Sequence, residues 1–368
     1  MRVFPPFVAG IVLVAGSLFA EPTLKEAFER DFRIGAALSP KYFSGRDSAG
    51  VELVKKQFNT ITPENALKWE PVHPRPDEYR FEEADRFVEF GEANDMFIVG
   101  HALVWHHQTP DWVFQDGEGK PLDREALLER MREHIHTVVG RYKGRVHGWD
   151  VVNEALADDG SLRDSPWKRI IGDDYVQKAF EYAHEADPDA ELYYNDYSIE
   201  EPAKRAGTVA LLKRLKEAGC RIDGVGIQEH VGLDWPSLEN LEASIRAFGN
   251  EGVQVMITEL DVNVLPTRWG EGDADLSGRK EVDPALNPYT EGLPDEMQEK
   301  LANRYAELFA LYRKHRDLIP RVTFWGVGDG DSWLNNFPVR GRTNYPLLFD
   351  RDLKPKPAYQ AVIEAASD

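Results

Sequence analysis

Apolar, β-branched-rich runs recur eight times along the chain, and each is followed by a stretch with helical spacing. The runs cover 33–39, 59–63, 97–105, 146–152, 191–196, 222–230, 253–262 and 321–328. Helices are expected over 51–58, 81–92, 124–142, 175–186, 202–218, 238–249, 294–315 and 357–366, with one more before the first run at 24–31. Strict alternation of strand and helix points to parallel pairing. The strands are apolar along their whole length, as expected where both faces are covered. Eight such units close naturally into a single (β/α)8 barrel, an α/β fold with enlarged loops after the strands. An open doubly wound sheet is the competing architecture, but no Gly-rich phosphate loop follows the first run.

Two of these runs end alike. Arg145-Val-His-Gly-Trp-Asp-Val-Val-Asn-Glu154 ends the fourth, and Val253-Gln-Val-Met-Ile-Thr-Glu259-Leu-Asp261 ends the seventh. In each, a buried strand stops on a carboxylate. Active sites of this barrel lie at the C-terminal ends of the strands. The other ends carry Glu64 and Asn65, His101 and Trp105, Asn153, Asn195 and Asp196, Gln228 and His230, Asp261 and Trp325. A polar ring on an apolar barrel with two glutamates facing inward is the equipment of glycoside hydrolysis: one carboxyl protonates the leaving oxygen while the other stays ionised. A histidine near Glu259 can hold that carboxylate charged, so His230 is expected there, with Asp261 orienting it. Asn153 is the other candidate for setting the two glutamates apart.

Composition narrows the partners. The net charge of −20 disfavours nucleic acid and anionic membrane and suits a neutral substrate. Nine tryptophans fit either core packing or a cleft on which sugar faces stack. Cys220 is the single cysteine, so no internal disulfide forms and no lipid anchor is expected. Residues 1–20 have the layout of a signal peptide, with Arg2, an apolar run from Phe7 to Phe19, and Ser17-Leu-Phe-Ala20 before Glu21. They imply a secreted or periplasmic protein whose residues 21–368 form the catalytic domain. The irregular stretch 266–293 follows the seventh strand and is read as a mobile insertion or a lid. His106-His107 and His134-x-His136 lack a metal-ligand pattern, and His134 and His136 cannot share a helical face. No metal and no cofactor are expected.

Seven motifs in order carry a resemblance. They are Thr62-Pro-Glu-Asn-Ala-Leu-Lys-Trp69, Gly100-His-Ala-Leu-Val-Trp-His-His-Gln108, Trp149-Asp-Val-Val-Asn-Glu154, Tyr194-Asn-Asp-Tyr197, Gly226-Ile-Gln-Glu-His230, Ile257-Thr-Glu-Leu-Asp261 and Thr323-Phe-Trp-Gly-Val-Gly-Asp-Gly-Asp-Ser-Trp333. Over about 24–363 the chain resembles family 10 of the glycoside hydrolases, the retaining endo-β-1,4-xylanases. That resemblance implies Glu154 as acid/base and Glu259 as nucleophile, with xylan and xylo-oligosaccharides as substrate. It implies Glu64, Asn65 and Lys68 on the non-reducing side of the cleavage point. His101, Trp105, Asn153, Gln228 and His230 would surround the reacting sugar, Trp325 and Trp333 would cradle it, and Tyr197 would lie toward the leaving group. A retaining pair needs its carboxyls roughly 5–5.5 Å apart. The chain departs from the family pattern after His230, where Val-Gly-Leu-Asp-Trp235 follows, and in the long 266–293 stretch. A monomer is expected.

Overall fold

The computed structural model describes residues 22–266 and 284–367. The 1–20 segment and most of 266–293 therefore lie outside the described residues.

Nine strands follow in order: β1 Arg33–Leu38, β2 Thr60–Pro63, β3 Phe97–Val104, β4 Gly148–Asn153, β5 Glu191–Asp196, β6 Gly224–Ile227, β7 His230–Gly232, β8 Gln254–Asn263 and β9 Arg321–Phe324. All neighbours pair in parallel, in the order β6-β5-β4-β3-β2-β1-β9-β8, and β6 pairs back onto β8. Eight strands thus close a barrel, and β7 adds a short rung to the far end of β8. Helices wrap the outside, among them Arg124–Arg141, Tyr175–Ala186, Pro202–Glu217, Leu238–Asn250 and Asp295–Lys314. Among the described residues no helix is long and apolar enough to cross a membrane.

The expected barrel is present, with element ends shifted by a few residues. Two strand expectations need correction. The sixth run does not continue from 222 to 230: it stops at Ile227, and the chain resumes pairing only at His230, because Glu229 adopts a left-handed backbone with φ 59°. The eighth run ends at Phe324, after which Gly326 turns the chain away at φ 135°. The first helix is also shorter than expected, Leu24–Ala27, capped by Glu26, whose carboxylate accepts from the backbone and hydroxyl of Thr23 at 2.8 and 2.7 Å. Short helices at Pro40–Phe43, Trp69–Val72 and Pro166–Ile171 have too few turns to show a periodic face.

Packing explains why the rim is held firmly. One apolar core fills the space between barrel and helices, and a small cluster of Val99, Tyr193 and Met256 plugs the barrel interior. Arg321 lies over the rings of Tyr193 and Phe97 at 5.1 and 5.7 Å, closing the barrel at the end opposite the carboxylates. Three ladders slip register, between His101 and Val104, between Asp150 and Val152, and between Ile257 and Leu260. Such irregularities re-aim side chains; they begin at His101, run up to Asn153 and Glu154, and span Glu259.

Candidate active site

Every residue expected at the site from the sequence, apart from Asn195, Asp196, Asp261 and Tyr197, lines one cleft at the C-terminal end of the barrel, with a cavity of about 180 Å³. That is an order of magnitude more than one water requires. Gln108 completes the lining. Asp261 lies behind the wall, fully buried. Tyr197 does not line this cleft; it is buried, and its hydroxyl accepts from Arg163 at 2.6 Å.

Glu154 is the residue after β4. Its φ of 57° is left-handed, a conformation that costs a non-glycine residue about 1–3 kcal/mol and persists only where neighbours hold it. Its N–H donates to Asn195 O at 2.8 Å. The carboxyl is buried and accepts from Trp105 Nε1 at 2.8 Å, Gln228 Nε2 at 3.0 Å and Asn153 Nδ2 at 3.2 Å. Burial pushes its pKa up, and the charge of Asp196 behind it pushes the same way, against the bonds from Gln228 and Trp105. Asp196 is itself held by Lys204 Nζ at 2.9 Å. The carboxyl of Glu154 therefore tends to keep its proton.

Glu259 projects from the middle of β8 and is as deeply buried, at 5% exposure against 8% for Glu154. Burial pushes its pKa up too, but the bond from His230, the charge of His101 and the amide of Asn195 outweigh that and hold it below the usual carboxylate range. His230 Nε2 lies 3.1 Å from Glu259 Oε2, and Nδ1 lies 3.1 Å from Asp261 Oδ2. Burial opposes the charge on His230, yet the two carboxylates raise its pKa to about 10. Trp333 Nε1 donates to the same oxygen of Asp261 at 2.8 Å. His230 thus stands between the carboxylates of Glu259 and Asp261, at ion-pair distance from each.

One side chain joins the two glutamates. Asn195 Nδ2 donates to Glu259 Oε1 at 2.8 Å and to Asn153 Oδ1 at 2.9 Å, and its own Oδ1 accepts from Thr258 at 2.6 Å. Gly226 on the adjacent strand leaves room for it: a Cβ there would lie 2.2 Å from Asn195 Oδ1. The sequence placed Asn195 on the rim without assigning it this bridge. Strand ends can be read from apolar runs, but hydrogen-bond partners across strands cannot.

A second network lines the other side. Lys68 Nζ donates to Asn65 Oδ1 at 3.0 Å and Gln108 Oε1 at 2.8 Å, and Gln108 Nε2 donates to Asn65 at 3.1 Å. Lys68 also sits 4.9 Å over the ring of Trp105. Burial lowers its pKa, while Glu259, Glu64 and Glu154 oppose the shift. Burial raises that of Glu64. Gln108 closes a quoted motif but stands four residues past the end of β3, where no periodic signal reaches. Across the cleft, His101 accepts or donates at Asp150 at 2.8 Å and meets Trp325 edge to face at 5.3 Å. Trp333 lies 4.8 Å from His230.

His106 and His107 adjoin the cleft edge-on to Trp105, at 6.2 and 5.3 Å, whereas His134 and His136 lie elsewhere. His134 is buried and stacks on Trp69 at 3.5 Å, while His136 lies 3.3 Å from Glu185 on the helix surface. Among the described residues no group of three or more His, Cys, Asp or Glu could hold a metal ion.

Comparison with known proteins matches this arrangement to one family. The sequence profile of glycosyl hydrolase family 10 covers residues 23–365. Endo-1,4-beta-xylanase A of Xylanibacter ruminicola is 48% identical over 99% of both chains. An endo-1,4-beta-xylanase of Geobacillus stearothermophilus is 44% identical over 93% of this chain and 98% of its own. Among solved structures, a family 10 endoxylanase from a sugarcane soil metagenome superposes with a TM-score of 0.90 at 50% identity, covering 93% of this chain and 99% of its own. The chain belongs to glycosyl hydrolase family 10.

Proposed function

We propose that the protein is a retaining endo-1,4-β-xylanase in which Glu154 is the acid/base and Glu259 the nucleophile. The observation that carries this reading is the pair itself. Two similarly buried carboxyls face one cleft, linked through Asn195 and Asn153, and their surroundings drive their pKa values in opposite directions. In the first step, Glu154 gives its proton to the glycosidic oxygen as a Glu259 oxygen attacks the anomeric carbon. The bond to the leaving oxygen breaks, and its electron pair stays with that oxygen. In the second step, the Glu154 carboxylate takes a proton from water, the water oxygen attacks the same carbon, and the ester electrons return to Glu259. His230 keeps Glu259 ionised before it attacks and stabilises its charge again as it leaves in the second step, and Asp261 keeps His230 oriented.

Glu64, Asn65 and Lys68 are assigned to the sugar on the non-reducing side. Trp325 and Trp333 are assigned to the reacting ring. Xylan as substrate is supported by the xylanases this chain resembles and by a solved relative, 42% identical with a TM-score of 0.84, that holds xylotriose. Secretion through the 1–20 segment and action as a monomer belong to the same reading.

The test compares aryl β-xylobioside with aryl β-cellobioside and follows the anomeric configuration of the first product by NMR. The expected outcome is strong preference for the xylobioside and a β product. Equal turnover overturns the xylan assignment, and an α product overturns double displacement.

A further inference from the structure

The left-handed backbone at Glu154 raises the question of what holds it. Its N–H is fixed by Asn195 O, as described above. Its carbonyl is fixed from the other side by Arg163, whose Nε donates to Glu154 O at 3.2 Å. The same guanidinium donates through Nη2 to Leu156 O at 3.1 Å and to the hydroxyl of Tyr197 at 2.6 Å.

Arg163 arrives there by a short return of the chain. Residues 155–163 fold back as a hairpin: Arg163 N donates to Ala155 O and Ala157 N to Ser161 O, each at 2.8 Å, and Leu156 bridges to Leu162. The tip is docked on the helix Pro202–Glu217 with backbone against backbone. Gly160 has φ +82°, and a Cβ there would stand 2.4 Å from Ala203 O; one on Gly207 would stand 2.2 Å from Gly160 O. No side chain fits between them, so the root of Arg163 is placed by a rigid hairpin rather than by a free loop.

We propose that Arg163 is a positioning residue for the proton donor: its guanidinium clamps the left-handed peptide at Glu154 and thereby fixes the direction of that carboxyl. The inference rests on Glu154 being the acid/base. A released peptide would relax toward the extended backbone that β4 already has, swinging the Cβ of residue 154 away from the cleft. The planar fork of arginine spans three oxygens at once, which a lysine ammonium on its flexible stem does not. None of the three oxygens belongs to Glu259 or to its partners, so the clamp acts on one half of the catalytic pair.

That one-sidedness gives the test. Arg163→Met and Arg163→Lys are assayed by kcat/KM on two aryl β-xylobiosides, one with dinitrophenolate as leaving group and one with phenolate. Dinitrophenolate departs without a proton, and phenolate needs one. Loss of kcat/KM for the phenyl substrate by about 10- to 100-fold is expected in Arg163→Met, a fraction of the roughly 10²- to 10⁴-fold that general acid catalysis contributes. The dinitrophenyl substrate should stay within about threefold, which also shows that the protein is folded and Glu259 intact. Arg163→Lys should fall between Arg163→Met and the unsubstituted protein. Glu154→Ala is run alongside. If Glu154→Ala treats the two leaving groups alike, the acid/base reading itself fails. If Glu154→Ala separates them and Arg163→Met does not, because it depresses both equally or neither, the clamp is overturned and Arg163 is a sugar contact or a structural residue.

Discussion

The rims at β4 and β8 each deliver a buried glutamate to the same cleft, yet they do so with opposite means. Glu154 follows its strand in a left-handed kink and is surrounded by neutral N–H donors, with the anion of Asp196 behind it. Glu259 sits within a continuous ten-residue strand and faces a cationic imidazole, with Asp261 behind that. Burial is nearly equal and pushes both pKa values up. What differs is the sign of the charge standing next to the carboxyl. A second buried aspartate stands behind each: at β5 it acts on Glu154 directly, whereas at β8 it acts through His230, which inverts its effect. Identical residue types facing one cleft thus have their pKa values driven in opposite directions.

Removing the carboxylates tests this comparison most harshly. Glu259→Ala should abolish hydrolysis of every substrate, by about 10⁴-fold or more. Glu154→Ala should still form the glycosyl intermediate from an activated aryl substrate, visible as a burst and as added mass on the protein. A burst from Glu259→Ala would reverse the assignment.

Neutralising the two aspartates sharpens it. In Asp261→Asn, His230 loses a carboxylate that keeps it charged, so the pKa of Glu259 rises. The acid limb of the kcat/KM profile should move to higher pH, with about 10- to 100-fold lost near neutrality. In Asp196→Asn, a charge that raises the pKa of Glu154 disappears, so Glu154 gives up its proton earlier and the basic limb should move to lower pH. The comparison breaks if both substitutions shift the same limb.

Glu229 shows what burial does where cations do not compensate. It is fully buried behind the site, accepts from the Tyr312 hydroxyl and faces the buried Glu200. Burial first, and Glu200 second, raise its pKa from 4.5 to about 8, and burial raises that of Glu200 to about 7. A raised carboxyl pKa stabilises the fold fully below the unfolded value, and that contribution is lost as pH climbs through the folded one. The melting temperature should therefore decline from about pH 4.5 to about pH 8. Glu229→Gln should flatten that decline in scanning calorimetry while changing activity least of the substitutions named here. An unaltered decline would place its origin elsewhere.

The barrel was legible because strands covered on both faces leave unbroken apolar runs, and the site because carboxylates, amides and rings stand where those runs stop. Glu154, Glu259 and the His230–Asp261 pair could all be named that way. The break at Glu229 could not, since a single change of φ leaves the apolar pattern of 222–230 intact. Nor could the bridging of Asn195 or the return of Arg163, which depend on which strand lies beside which and on a hairpin tip, Gly160, that meets Gly207 of a helix. Patterns of burial report on continuous elements; the hydrogen bonds that divide labour within the site cross between them.

Asn195 carries a further consequence. Its amide nitrogen serves both halves of the pair at once, and it has no exposed surface through which to exchange partners. Replacing that amide by a carboxylate, as in Asn195→Asp, would put a third negative group between the glutamates.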